Sequence, residues 1–288
     1  MNVKIITDSA CDLPNSYYSE YDIEFLPLLV HLNDQDYEDV TGIESKKVYD
    51  AMKDGAIPKT SQVSPDTFLQ VFSTYVEQNQ PIVYVGFSSE LSGTLQSAKI
   101  AQQQILEENP DAKVYVEDTK CASLGQGLVV LRAAQLAKDG ADAEQIVETV
   151  QYHAHHMEHI FTVDDLEYLQ RGGRVSKAAA FFGGLLNIKP LLHVEDGNLV
   201  PLEKIRGAKK VKVLKRMFEV MEERGKELNQ QTIAISHGDD LETAKKLASI
   251  IKETYKPKNI LIGDIGSAIG AHAGPGTIAL FFLNDLYQ

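Results

Sequence analysis

The sequence predicts two α/β domains: the first built on a parallel sheet with helices on both faces, the second on a mixed sheet with helices. Three observations carry that expectation. Short β-branched runs alternate with helical periodicity through the first half of the chain, the pattern changes character near residue 160, and an Asp196-Gly197 pair separates two alternating runs in the second half. Strands alternating with helices at this spacing argue for βαβ units and a parallel sheet. Asp-Gly between alternating runs is the strongest short-range hairpin signal and puts an antiparallel pair into the second sheet.

The elements follow in order. Val3 to Thr7 is a short buried-strand run, and Leu13-Pro14 opens a helix after the loop at Asp8 and Ser9. The unit recurs at Ile82 to Phe87, loop Ser88 to Gly93 and helix Thr94 to Glu108, and again at Val114 to Val116, loop Glu117 to Ser123 and helix Leu124 to Asp139. Residues 141 to 160 have one apolar helical face, and Phe161 to Val163 is extended. The segment DDLEYLQRGGR, 164 to 174, reads as a charged helix closed by a glycine pair, followed by a small-residue apolar helix over 178 to 186. After the hairpin come a helix over about 209 to 229, a strand at Thr232 to Ser236, a helix at Leu241 to Tyr255 and a strand at Asn259 to Ile265. The domains are therefore expected at 1–160 and 161–288.

Composition sets the class. With 288 residues, 43% of them hydrophobic and 24% charged, the chain matches ordinary globular usage. A net charge of −13 opposes phosphate backbones and anionic lipid, so nucleic-acid binding is disfavoured and any anionic ligand needs a local site. Two distant cysteines, Cys11 and Cys121, and an opening MNVKIITDSA without a signal-peptide pattern point to reduced thiols and a cytoplasmic location. No apolar run reaches membrane-spanning length, Ile278 to Leu283 being a core-strand length.

Four segments are rich in hydroxyls, glycines or histidine and read as loops: Thr7-Asp8-Ser9, Thr60-Ser61-Gln62, Ser88 to Thr94 and Gly266 to Gly276. Such loops present free N–H groups and hydroxyl donors to a carboxylate or phosphate; each is also an ordinary N-cap or turn composition. In an open α/β sheet, ligands sit at the carboxyl ends of the strands. A serine nucleophile at Ser88, Ser89 or Ser92 with His272 is disfavoured, because Gly86-Phe-Ser-Ser-Glu90 breaks the G-x-S-x-G elbow. Asp8 and Asp12 invite an aspartyl phosphotransferase reading, against which stands their ordinary role as caps. His153, His155, His156 and His159 are dense enough to suggest a metal, with 155 and 159 one helical turn apart, but they lack a further ligand beyond Glu158, and no metal is expected. His193 and His237 fall on strands as core or edge residues. Arg171, Arg174, Lys177, Arg206, Lys209 and Lys210 form basic groups, either complementing helix ends or meeting an acidic partner or nucleotide.

End to end, the chain resembles the DegV family of bacterial fatty-acid-binding proteins: TDSACDLP near the start, KTSQ at 59 to 62, SSELSGT at 88 to 94, the VEDTK turn, VDDLEYLQRGGRVS at 163 to 176, LLNIKPLLHVEDG at 185 to 197, EKIRGAKK at 203 to 210 and IGAHAGPG at 269 to 276. The resemblance implies a long-chain fatty acid held in a channel between two α/β domains, with Thr60, Ser61, Ser92 and His272 on its head group. It further implies no cofactor, and a carrier that presents the acid to a partner ATP-dependent kinase for acyl-phosphate formation, with Arg174 and Arg206 facing that kinase. The alternative is a stand-alone serine-dependent acyl hydrolase or phosphotransferase, against which stand the absent elbow and the absence of a G-x-x-x-x-G-K-[ST] loop. A monomer is expected. Val63 and Glu90 depart from the family pattern, which has Pro and a small residue there; a carboxylate at 90 must turn to solvent to coexist with an anionic head group. Physical chemistry agrees with the resemblance. Each buried methylene stabilises by roughly 0.8 kcal/mol, and a carboxylate is costly to bury unless hydrogen-bonded. Ala122, Phe161, Ala178, Ala179, Phe181, Phe182, Gly183, Leu185, Leu186 and Ile269 are the candidate channel residues.

Overall fold

The strand–loop–helix units of the first half form in the computed structural model, which describes residues 3–175, 188–207 and 210–287. The strands are β1 (Lys4–Asp8), β2 (Ile23–Leu26), β3 (Leu29–Leu32), β4 (Gln35–Glu38), β5 (Lys59–Ser61), β6 (Ile82–Gly86), β7 (Val114–Asp118), β8 (Met157–Thr162), β9 (Ile188–Glu195), β10 (Asn198–Arg206), β11 (Thr232–His237), β12 (Asn259–Asp264) and β13 (Ile278–Leu283). The helices are α1 (Asn15–Glu20), α2 (Ser45–Lys53), α3 (Pro65–Val76), α4 (Thr94–Glu108), α5 (Leu124–Lys138), α6 (Ala143–His156), α7 (Glu167–Gly172), α8 (Lys210–Arg224), α9 (Leu241–Tyr255) and α10 (Ser267–Ala273). Among the described residues no helix is long and apolar enough to cross a membrane.

Two α/β layers result. The first carries a parallel sheet in the order β2-β1-β6-β7, and the second a mixed sheet in the order β10-β9-β8-β13-β11-β12, in which β11 and β12 are parallel and the rest antiparallel. The hairpin expected at Asp196-Gly197 joins β9 to β10, both turn residues having positive φ as that turn requires. A small antiparallel sheet, β4-β3-β5, was not expected. Helix α5 contacts β1 and β6 on one side and β8, β11 and β13 on the other. Eleven of its fifteen residues are buried, which is why its sequence is apolar nearly all round rather than striped. In β13, period-two alternation sends Ile278, Leu280 and Phe282 under α8 and α9, while Ala279 and Phe281 turn toward the first layer.

Three expectations change. The helix over 141 to 160 stops at His156, and Met157 to Thr162 pairs along its length with β13, so tertiary pairing overrides the helical periodicity. Residues 266 to 276, read as a loop, contain helix α10. The helix over 209 to 229 ends at Arg224, before Gly225. The expected helix over 178 to 186, with Phe181 and Phe182, lies outside the described residues.

Candidate functional site

A cavity of about 350 Å³ lies between the layers, within the roughly 300–1,000 Å³ range of small-molecule sites. Its walls are mainly apolar, with Leu28, Phe87, Leu91 and Ala122 from the first half and Phe161, Leu199, Ile269 and Phe281 from the second. The expected channel residues Ala122, Phe161 and Ile269 are thus in place. Ala279 and Phe281 reach the cavity from the same strand faces that turn away from α8 and α9.

The hydroxyl-rich segments supply Thr60, Ser61, Gln62, Ser92 and His272 to that wall, and Ser123, His159, Arg174 and Thr277 add further polar groups. Thr60 Oγ1 lies 2.7 Å from His272 Nε2, joining β5 to α10 across 212 residues. Helix α10 is fixed from the first half at its start: Gly266 N–H donates to Asp12 Oδ1 at 2.9 Å, Ser267 N–H donates to Asp39 Oδ1 at 3.1 Å, and the Tyr49 hydroxyl donates to the Ile265 carbonyl at 2.9 Å. Gly172 lets α7 close onto the histidine, since a Cβ there would lie 2.3 Å from His272 Nδ1. Burial, with the Arg174 charge adding to it, lowers the His272 pKa to about 4, so the imidazole is neutral near pH 7. Ser92 Oγ is 2.9 Å from Thr94 Oγ1 and accepts from the Thr94 N–H at 3.2 Å, which seats it at the turn into α4.

Ser61, like Thr60, belongs to the cavity wall, and in a strand successive side chains face opposite sides. Thr60 meets His272, whereas Ser61 Oγ sits 2.6 Å from His31 Nε2, and His31 Nδ1 is 2.5 Å from Asp36 Oδ1. The Ser61–His31–Asp36 series has the connectivity of a nucleophilic relay, on a sheet face where His31 and Asp36 side chains are 32% and 68% exposed. Sequence reading missed His31 because nothing in a four-residue strand flags it.

The other candidates resolve into structure. Asp8 accepts from the Tyr84 hydroxyl at 2.6 Å, the Phe87 N–H at 3.0 Å and the Ala10 N–H at 3.1 Å; Asp12 accepts from Gly266 and from the Ser123 hydroxyl. Both carboxyl groups are raised in pKa by burial. Ser88 Oγ donates to the Gly197 carbonyl at 2.9 Å and Ser89 Oγ to Asp118 at 2.6 Å, so neither addresses His272. His155 lies on α6 and His159 on β8, which removes the one-turn spacing. Among the described residues no group of three or more His, Cys, Asp or Glu is placed to hold a metal. Glu90 is exposed and accepts from Asn198 Nδ2 at 3.4 Å, outside the cavity wall; Val63 is buried.

Arg174 and Arg206, expected on a docking face, are both exposed and lie on different segments. Arg174 lines the cavity, where its Nε donates to the Leu91 carbonyl at 3.1 Å and its Nη1 to the Gly172 carbonyl. Arg206 is exposed on β10, the edge strand of the mixed sheet.

The whole architecture has known counterparts. A DegV domain-containing protein of Clostridium perfringens is 45% identical over 284 residues, spanning 98% of this chain and 97% of its own. Among solved structures, a DegV family protein from Thermus thermophilus, described as fatty acid binding, superposes with a TM-score of 0.90 at 30% identity over 98% of this chain and 99% of that one. DegV of Bacillus subtilis, described as a fatty acid binding protein, gives 0.87 at 30% identity over 98% of both chains. A stearic-acid-binding protein from Eubacterium ventriosum gives 0.86 at 30% identity over 97% of both. With residues 2–285 also matching the family model described as "Uncharacterised protein, DegV family", the chain belongs to the DegV family.

Proposed function

We propose that this chain is a carrier, not an enzyme in itself: it binds a long-chain fatty acid, with the acyl chain in the cavity and the carboxylate on Thr60, Ser92 and His272. In this reading the ligand channel lies between domains 1–160 and 161–288. The observation that carries it is the Thr60–His272 pair set in a mainly apolar cavity. Methylenes take the apolar wall, at roughly 0.8 kcal/mol each, while neutral donors satisfy a carboxylate that is costly to bury alone. The Thermus and Bacillus proteins, described as fatty acid binding, and the stearic-acid-binding Eubacterium protein support the same ligand class.

The carrier presents the carboxyl group to a partner ATP-dependent kinase. A carboxylate oxygen bonds to the γ-phosphorus of ATP as the bond from that phosphorus to the bridging oxygen breaks, and ADP leaves with the acyl phosphate formed. Arg206 on the exposed edge strand, with Arg174 at the cavity, supplies positive charge for docking. Solvent extraction of purified protein followed by mass spectrometry tests the carrier reading: stoichiometric fatty acid is expected, and protein that carries none and takes up none on addition overturns it.

A further inference from the structure

Thr60 and His272 are walls of two cavities, not one. Beside the apolar cavity lies a second of about 270 Å³, which shares Thr60, His272 and Arg174 with the first and adds Lys59, Arg171 and Tyr168. Three cations around one small cavity are unexpected in a chain of net charge −13. Among the described residues neither Lys59 nor Arg174 has a carboxylate partner, and Arg171 pairs with Glu167 through Nη2, leaving its other donors. Unpaired cations converging in a cleft raise the local concentration of anions.

We propose that this second cavity is a phosphoryl-binding vestibule, in which Lys59, Arg171 and Arg174 take the oxygens of a phosphoryl group brought against the Thr60–His272 wall. A phosphoryl group fits better than a second carboxylate. It brings up to about two negative charges and three acceptor oxygens, which the planar guanidinium fork matches in pairs. The first cavity has one cation on its wall, Arg174, whereas the second gathers three by adding Lys59 and Arg171. The position of the carboxyl group rests on the carrier reading above; the vestibule itself rests on its own lining.

The ligand source is a phosphoryl group, either free or joined to the acyl chain, and the experiment separates the two. Delipidated and lipid-loaded protein are titrated with inorganic phosphate, read by ³¹P line broadening, and with a long-chain acyl phosphonate, read by displacement of a fluorescent fatty acid. Wild-type protein is expected to bind at least one of these probes, the phosphonate more tightly than the fatty acid of equal length. Lys59→Gln and Arg171→Gln lie outside the apolar cavity, so each is expected to weaken the phosphorus probe by about tenfold, the loss of one charged contact, with fatty-acid affinity retained. Binding of phosphate alone assigns a free anion, and preference for the phosphonate alone assigns an acyl-linked one. Equal affinities in wild type and both variants, or no binding of either probe, overturn the proposal. Lysine-dependent phosphate binding by protein that takes up no fatty acid would leave the vestibule standing and remove the carrier reading.

Discussion

Replacing Gly172 by alanine tests the head-group site through one methyl group. An added Cβ would lie 2.3 Å from His272 Nδ1, 3.2 Å from Cγ and 3.3 Å from Cε1. Carbon contacts settle at roughly 3.5 Å or more, so the ring must withdraw by about 1 Å. The Thr60–His272 separation is now 2.7 Å, and a shift of that size carries it past the roughly 3.2 Å at which such bonds weaken. A ligand hydrogen bond to a carboxylate is worth about 1.5–3 kcal/mol, so G172A is expected to lower fatty-acid affinity by about 10- to 150-fold. The helix itself favours the change, alanine being about 1 kcal/mol better than glycine in a helical position. That gain offsets part of the cost of moving the ring and stretching the Thr60 bond; thermal melting establishes that the variant is folded, while displacement of a fluorescent fatty acid shows the weaker binding. Wild-type affinity in a stably folded G172A protein would refute the assignment of His272 as a ligand.

The remaining predictions address one group each. Thr60→Val keeps shape and removes the hydroxyl, and is expected to weaken fatty-acid binding by about 1.5–3 kcal/mol in the same displacement assay. Ser61→Ala should leave that affinity unchanged, because its hydroxyl is engaged by His31; a loss equal to that of Thr60→Val would return Ser61 to the head-group set. Arg206→Ala should retain lipid and slow acyl-phosphate formation with the partner kinase, most at low ionic strength, since exposed docking charges act chiefly on association rate. His159 is fully buried and its pKa is lowered to about 4 by burial. The unfolded chain therefore binds the extra proton between about pH 6.5 and 4, and stability falls as pH drops through that window. Chemical denaturation at pH 6.5 and 5 should show wild type losing about 1.5 kcal/mol more than His159→Gln; parallel losses would count against a neutral buried imidazole.

The fold was legible where a segment's own pattern matched its final environment. The runs at Ile82 and Val114, their following loops and the helices from Thr94 and Leu124 need only local periodicity and turn residues, and they form within a residue or two of expectation. Asp196-Gly197 likewise encodes its own turn. What failed was structure held by distant partners. Gln35–Glu38 and Lys59–Ser61 have no apolar alternation of their own and are strands because β3 lies between them. Residues 266 to 276 are glycine-rich because neighbours press close, Gly270 against the Tyr49 hydroxyl for instance, and that composition looks like a loop even where the backbone is helical.

The same distinction governs the site. The residue types for binding an acid were visible as hydroxyl-rich segments, and the family resemblance named Thr60, Ser61, Ser92 and His272, yet no spacing rule joins residue 60 to residue 272. That contact exists because Asp12, Asp39 and Tyr49 anchor the start of α10 from the first half of the chain. The resemblance named Thr60 and Ser61 alike, and a loop at 60 to 62 would let both hydroxyls face one side. Once Lys59–Ser61 is a strand, period two forces adjacent side chains apart, so one hydroxyl goes to His272 and the other to His31. Arg174 is exposed, as its sequence neighbours suggested; what they did not show is that Gly173 in the left-handed conformation ends α7 and that the guanidinium donates to the Leu91 carbonyl on the cavity wall. Burial lowers the His272 pKa and the Arg174 charge adds to it, so in the carrier reading proposed above the carboxylate would meet a neutral imidazole with one cation on the same wall.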